Sequence, residues 1–464
     1  MSEGFQSLKP FGLIPNDWAH ACIGDIFDVQ LGKMLSDKAK TGDHSKPYLG
    51  NSNVHWGRFN LTALSEMDFL PHERKKFALK DGDILVCEGG EVGRTAIWQS
   101  DLAECYYQKA LHRLRPLSNS ADRLFFRYFM EDACRKNLFL AYTGTSSIPH
   151  LTRETLVQLK MPLPPPPEQQ KIAAILSTWD RAIELTEKLI AAKQKRKQAL
   201  MQQLLTGKVR LPEFQAGKKN SCSTVVRVPA AVRRGIYPPS VQPGIPKITH
   251  RPKGWQELTM GHLLEIEQRS IELSDEVEYQ LVVAKRNRGG IEPRERLLGK
   301  DVKTPTQFEV RAGDFVISKR QIIHGACGIV PPSLDGAVVS NEYSVCTVKA
   351  QLNMEFLKYL SHTLYFQQTC FHASVGVALE KMIFRVHEWI KFPFLIPSIE
   401  EQRAIVAVLS TMDRELEILQ KRLAVHTQQK KGLMQQLLTG KIRVKVELDV
   451  AQAPVAVASS RRGI

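Results

Sequence analysis

The feature that most constrains this chain is that it repeats itself. The segment EQQKIAAILSTWDRAIELTEKLIAAKQKRKQALMQQLLTGKVRL, beginning at Glu168, aligns without a gap with EQRAIVAVLSTMDRELEILQKRLAVHTQQKKGLMQQLLTGKIRV, beginning at Glu401, a constant offset of 233 residues. About half the positions are identical, and the nonamer LMQQLLTGK recurs whole at 200–208 and 433–441. Such a period marks a tandem duplication and has to be recognised before any local pattern is read. Weaker echoes extend it. Pro15-Asn16-Asp17-Trp18 matches Pro252-Lys253-Gly254-Trp255, with Gly24 and Gly261 six residues after each tryptophan. Asp81-Gly82-Asp83-Ile84-Leu85-Val86 matches Ala312-Gly313-Asp314-Phe315-Val316-Ile317. Apolar-proline segments, Met161–Pro164 and Phe392–Phe394, precede both long repeats. Each half is therefore a diverged globular region followed by a more constant helical segment.

The prolines at 164–167 suit a helix entrance, where the amide hydrogens have no partners to lose. No Gly or Pro follows from Glu168 to Leu205, and Gly207 and Gly440 stand where a C-terminal glycine cap belongs. Apolar residues recur with 4-3 spacing at Leu176, Trp179, Ile183, Ile190, Leu200 and Leu204. The second copy has Leu409, Met412, Leu416, Leu419, Leu423, Leu433 and Leu437. This period predicts a coiled coil or helical hairpin, each helix being a rod of roughly 57 Å at 1.5 Å per residue. Equivalent helices in two repeats most simply pack on each other, and antiparallel packing would relate the two halves by a pseudo-twofold axis. The seam weakens at Lys193 and Lys197 and at His426 and Lys430. The plain reading is a solvated stretch; the other is that these residues meet a further protein.

Between Lys160 and Lys219 twelve Lys/Arg face five Asp/Glu, and the whole chain carries a formal charge of +16 with a pI near 9.4. A surplus of this sign favours a polyanion, because neutralising phosphates releases counterions, although a merely basic protein would look the same. The cluster Lys193, Lys195, Arg196 and Lys197 could track phosphates or bind an acidic partner equally well. Eight cysteines are scattered without a CxxC pair, which argues against zinc. With no signal-peptide pattern and no apolar run of spanning length, the chain reads as cytoplasmic with reduced thiols.

Each globular region mixes short alternating apolar runs with turn residues, an α+β pattern. In the first, Pro47–Arg58 reads as a polar, aromatic loop in which Asn51, Asn53, His55, Trp56 and Arg58 can hydrogen-bond base edges or phosphates, though a ligand-free hairpin loop has the same composition. Glu88–Arg94, with Arg94 at its end, follows an apolar strand but fits no phosphate-loop template. Thr143–His150 offers Thr145, Ser146 and Ser147 for phosphate contacts, or is a simple linker turn. In the second region Lys285, Arg286, Asn287 and Arg288 follow the strand-like 280–284. Lys319, Arg320 and Gln321, with His324 nearby, follow the strand-like 315–317. Both groups sit just beyond a strand, where a sheet can hold them against a groove. Walker, HExxH and aminomethyltransferase tetrapeptide motifs are missing, and no carboxylate pair suggests catalysis, so neither a cofactor nor a metal is expected.

The residues PLPPPPEQ at 162–169 and LMQQLLTGKVRLPEF at 200–214 resemble the conserved helical regions of type I restriction–modification specificity subunits. The order of recognition region, helix, recognition region, helix resembles that family over nearly the full length. The second copy departs modestly, with Ile396–Gln402 in place of the proline run. The resemblance implies two α/β target-recognition domains joined by an antiparallel coiled coil. It implies that each domain reads one half of a split double-stranded DNA site. It further implies that the helices bind two methyltransferase subunits, which bring S-adenosylmethionine, and that a separate motor-nuclease subunit cleaves DNA. The corresponding partition is recognition domain 1 at 1–160, helical region 1 at 161–211, a linker at 212–251, recognition domain 2 at 252–392, helical region 2 at 393–444 and a tail at 445–464. Subunit contacts are expected at Lys193, Arg196 and Lys197. They are also expected at Arg233, Arg234, Arg461 and Arg462, in two segments that both end Arg-Arg-Gly-Ile. A structural coiled-coil adaptor with protein-binding heads would share the rods but explains neither the charge nor two diverged, loop-rich heads.

Overall fold

The structure is a computed structural model that describes residues 4–39, 41–141, 150–215, 248, 251–304 and 306–445. The chain forms two compact units, residues 1–188 with 421–464, and residues 189–420. Each contains one globular head, the first part of the long helix that follows it, and the last part of the other long helix. Among the described residues no helix is long and apolar enough to cross a membrane.

The first head is built on a four-stranded antiparallel sheet in the order Thr95–Ile97, Ile84–Cys87, Leu111–Pro116, Phe27–Leu31. One core contains residues of the helix Arg123–Arg135, including Phe125, Phe126, Tyr128 and Phe129. A second core holds Phe69, Trp98, Tyr106 and Tyr107, and includes residues of the small sheet Tyr106–Tyr107, Ser45–Leu49, Ser65–Asp68. The second head has a matching four-stranded antiparallel sheet, Leu264–Glu267, Tyr343–Val348, Phe315–Ser318, Cys327–Ile329. It adds a five-stranded sheet whose central strands include Val338–Ser340 and Glu278–Ala284. Both heads are thus α+β, as the alternating runs predict.

The echo around Asp83 and Asp314 is one local device used twice. Gly82 (φ 77°) and Gly313 (φ 90°) turn the chain into a buried strand, a conformation open to glycine because it has no Cβ. The buried aspartate after each glycine closes the turn, accepting from the Lys80 or Arg311 backbone N–H. It then pairs with an arginine, Arg115 at 2.6 Å for Asp83 and Arg269 at 2.5 Å for Asp314.

The long helices run Pro166–Leu204 and Ile399–Leu437. Pro166 and Pro167 lie inside the first turn, where their missing N–H groups cost nothing. Gln169 and Gln402, one offset apart, bolt each helix start to its own head. Gln169 donates to the Ser120 and Pro164 carbonyls and accepts from Asp122 N–H. Gln402 donates to the Gln351 and Pro397 carbonyls and accepts from Asn353 N–H.

Within each unit the two helix segments meet antiparallel. In the first, Arg443 pairs with Glu168 and Lys430 with Asp180; in the second, Arg210 pairs with Glu401, Lys197 with Asp413 and Lys193 with Glu415. At Lys197 and Lys430 the weak middle of the seam is paired across the helices, while Lys193 pairs with Glu415 at a more solvated position. Lys430 is 8% exposed and bridges Asp180 and Glu131, each at 2.7 Å. Its seam has become polar and paired. Burial alone would raise Asp180, but the Arg127 and Lys430 charges beside it, with their hydrogen bonds and that of Tyr128, hold its carboxyl below the usual carboxylate range.

The glycine caps do a second job. Gly207 (φ 66°) and Gly440 (φ 67°) end their helices with left-handed backbone. A Cβ on Gly440 would stand 2.3 Å from Pro15 Cγ, and one on Gly207 2.3 Å from Pro252 Cγ. The Pro-x-x-Trp echo and the LTGK echo are thus two sides of one joint, made once in each unit.

Candidate nucleic-acid interface

In the first head, the stretch from Pro47 is more ordered than a loop. It runs through the strand Ser45–Leu49, a 3-10 turn at Asn51–Asn53 and a tight hairpin in which Val54–His55 pairs with Arg58–Phe59 across Trp56-Gly57. Gly57 (φ 70°) makes that turn and lies against the Arg127 guanidinium. Asn53 is buried and its side chain serves the turn, accepting from Gly50 N–H and donating to the Asn60 carbonyl.

The Glu88–Arg94 loop, between strands Ile84–Cys87 and Thr95–Ile97, is tied to this hairpin. Arg94 donates to the Asn51 carbonyl and pairs with Glu91 at 3.3 Å; Trp56 Nε1 donates to Glu91 at 2.7 Å; Asn51 Nδ2 donates to the Gly89 carbonyl at 3.1 Å. Asn51 Oδ1 and Arg94 Nε are buried without a hydrogen-bond partner among the described residues. Asn51, Trp56 and Arg94 therefore come together, with His55 half-buried and Arg58 exposed on the adjoining hairpin. Glu91, which organises the group, carries no sequence signal beyond its place in a glycine-rich loop. Thr145, Ser146 and Ser147 lie outside the described residues, although His150, which follows them, stands against Gly89.

In the second head the Lys285–Gly290 turn joins strands Glu278–Ala284 and Ile291–Leu298. Asn287 and Arg288 both have φ of 57°, left-handed backbone that costs a non-glycine residue about 1–2 kcal/mol. The Arg288 N–H donates to the Gly325 carbonyl at 2.8 Å, which holds this conformation. Arg286 reaches across to the second predicted group, donating to Gln321 Oε1 at 2.9 Å, and also faces Glu380. Lys285 pairs with Glu292, and Arg320 pairs with Glu342. Lys319 donates to the Asn341 carbonyl, and burial pushes its ammonium below the ordinary lysine value. The two groups are thus neighbours, linked by Arg286 and Gln321. Lys285, Arg286, Asn287 and Arg320 are exposed, whereas Arg288 turns inward.

Of the expected subunit contacts, Arg196 is exposed, and Lys193 and Lys197 are engaged with Glu415 and Asp413. Arg233, Arg234, Arg461 and Arg462 lie outside the described residues.

Comparison with known proteins agrees with this arrangement. Residues 15–193 and 252–426 each match the family described as the type I restriction modification DNA specificity domain. The chain is 24% identical over 458 residues to the type I restriction enzyme MjaVIII specificity subunit of Methanocaldococcus jannaschii, covering 96% of this chain and 97% of that protein. It is 25% identical to the putative MjaX specificity subunit of the same organism, with the same coverage. Among solved structures, the S subunit of a type I restriction–modification system from M. genitalium superposes with a TM-score of 0.52 at 14% identity, covering 93% of this chain and 99% of that one. A chain from a study of complex assembly and conformational transition in the type I system gives 0.55 at 17% identity, covering 92% and 99%. At these identities the structures speak to the fold.

Proposed function

This chain belongs to the type I restriction modification DNA specificity family, and we propose that it is the specificity subunit of such a complex, reading a bipartite DNA site with one head per half-site. The observation that carries the reading is that the family match repeats once per half, each time embracing one head and most of its long helix. The surplus of positive charge supplies the attraction to phosphates. In the first head the reading groups are Asn51, His55, Trp56, Arg58 and Arg94. In the second they are Lys285, Arg286, Asn287, Lys319, Arg320 and Gln321. Asn53 and Arg288 act from behind, by shaping the turns that present them.

The two long helices act as one antiparallel coiled coil with a pseudo-twofold axis between recognition domains at 1–160 and 252–392. The antiparallel contacts inside each unit support this, as does the constant offset of their partners. The helices scaffold two methyltransferase subunits, with Lys193 and Arg196 among the contact residues. Those subunits bind S-adenosylmethionine, and a motor-nuclease subunit joins the larger cytoplasmic complex. The chain itself supplies specificity and no catalytic group.

Exchanging residues 252–392 for those of a relative, and sequencing the methylated sites in cells that also carry the partner methyltransferase, tests this. One half of a split motif should change and the other should persist. Simultaneous change of both halves would defeat the model of independent heads.

A further inference from the structure

We infer that the second head holds a phosphoryl-binding site in the cavity between the Lys285–Gly290 turn and the helix Met354–Leu360. The cavity encloses about 500 Å³; its polar lining is Arg288, Glu355, Lys358, Ser361 and His362, and its apolar lining includes Phe315 and Val330. Glu355 answers Lys358 at 3.1 Å, which leaves the Arg288 guanidinium as the cation that no carboxylate among the described residues neutralises.

The first head shows what a neutralised version looks like. Tyr128 and Tyr359 both donate to the acid on the adjacent long helix, Asp180 at 2.6 Å and Asp413 at 2.7 Å. This shared contact aligns the helices Arg123–Arg135 and Met354–Leu360, and places Lys358 at the position of Arg127 and His362 at that of Glu131. In the first head Arg127 and Lys430 face two carboxylates, Asp180 and Glu131, and every charge is matched. In the second, Lys197 pairs with Asp413 and Lys358 with Glu355, and His362 stands where the further carboxylate would be. Arg288 then enters from the strained turn as an additional cation.

Among the described residues Arg288 has no carboxylate partner. Its guanidinium donates from Nε to the Ser361 carbonyl at 2.7 Å, and its Nη groups have no acceptor among the described residues. Burial lowers its affinity for a proton, whereas the buried Arg127 is raised by its carboxylates. His362 lines the cavity; desolvation by the surrounding protein, with the charges of Arg288 and Lys197, holds its imidazole below the ordinary value. A left-handed arginine held over such a cavity is strain at a place where a ligand would repay it.

A phosphoryl group fits this site better than a carboxylate. It presents three acceptor oxygens to Arg288 from the turn and to Lys358 and His362 from the helix and the residues just after it. The volume and apolar wall leave room for the organic part of a nucleotide. Two sources share this chemistry, the backbone of bound DNA and a free nucleotide. The first arm rests on the DNA-reading proposal; the second does not.

The test uses the purified full chain at low salt with three probes: inorganic phosphate, adenosine 5′-monophosphate and duplex DNA carrying the methylated site. Arg288→Gln and Lys358→Gln are compared with the parent, the latter being an exposed helix position that leaves the fold intact. For a free-nucleotide site, phosphate and the monophosphate bind saturably and each variant weakens them roughly tenfold, the scale of one charged hydrogen bond. For a DNA-backbone site, each variant weakens cognate and scrambled duplex alike and lowers the salt slope by about 0.9. Parental duplex affinity and salt slope in both variants, with no saturable binding of either small probe, overturn the site. Failure of the parent chain to bind any duplex would instead defeat the DNA-reading proposal and leave the small-probe arm to decide this one.

Discussion

Arg443 and Arg210 hold equivalent places beyond the ends of the two long helices, yet the joints they make are unlike. Arg443 forks onto Glu168 at 2.7 and 2.8 Å, forks again onto Asp17 at 2.9 Å, and lies over Trp18, whose indole also donates to Glu168 at 3.2 Å. Arg210 forks onto Glu401 at 2.8 and 2.6 Å and donates to the Lys253 carbonyl; Gly254 stands where Asp17 would be, and Trp255 Nε1 is buried without a partner among the described residues. The helix side of each joint has been kept across the duplication, and the head side has drifted. Counting contacts would rank the first joint stronger. What decides the cost of losing an arginine, however, is the carboxylate left behind.

The largest effect should come where the joints are alike. Gly207→Ala and Gly440→Ala each add a Cβ to left-handed backbone 2.3 Å from a proline ring carbon. Strain plus overpacking should cost about 3 kcal/mol at either site. Denaturant unfolding of each variant measures this; a cost below about 1 kcal/mol at either glycine would show that its joint is loose.

The arginines should separate the joints in the order opposite to their contact number. Removing Arg210 leaves Glu401, 2% exposed, with no side-chain donor among the described residues, which should cost about 3 kcal/mol. Arg443→Ala should cost about 2 kcal/mol, since Glu168 keeps the Trp18 indole and the Asp17 pair is an exposed one of small worth. Equal losses, or a larger loss at Arg443, would mean that the number of partners, and not the carboxylate left behind, sets the cost.

A smaller effect tests the polar middle. Asp180 is held below the ordinary carboxylate range, so its contribution to stability is present above that range and is lost as pH falls through its lowered value. Asp180→Asn should cost about 1–2 kcal/mol at neutral pH and flatten the loss of stability below about pH 4. An acid limb identical to the parent's would mean that other carboxylates carry it.

Much of the frame was legible in the sequence because it depends on spacing. The 233-residue offset, the 4-3 seam and the terminal glycines define both helices to within two or three residues. The Asp83 and Asp314 echo marks a buried strand, but nothing nearby in sequence names Arg115 or Arg269 as its partner. Lys197 and Lys430 break an apolar seam, and only the fold shows that acids on the facing helix segment, Asp413 and Asp180, make that break a pair. The loops proposed to read DNA were legible as composition alone. Which of their side-chain atoms stay unused depends on turns such as Asn51–Asn53, where Asn53 spends both ends of its amide on the backbone and Asn51 donates to the Gly89 carbonyl but keeps Oδ1 without a partner among the described residues.

The smallest effect isolates the one atom by which the joints differ most simply. Trp18 and Trp255 are equally buried, and each lies against the capping glycine of its joint. Trp18→Phe removes the indole donor to Glu168 while Arg443 still forks onto that carboxylate, so the loss should be about 1 kcal/mol beyond the change in packing. Trp255→Phe removes a donor that has no protein acceptor among the described residues, and the desolvation it carried is relieved. Its packing loss is similar, so the second variant should be the more stable of the two by about 1 kcal/mol. Combining Trp18→Phe with Arg443→Ala then strips Glu168 of both donors and should cost about 1 kcal/mol more than the sum of the single changes, since each single variant keeps one donor in place. Strict additivity would mean that the two donors act on Glu168 independently, and that the drifted head side of the joint has no energetic consequence for the helix side.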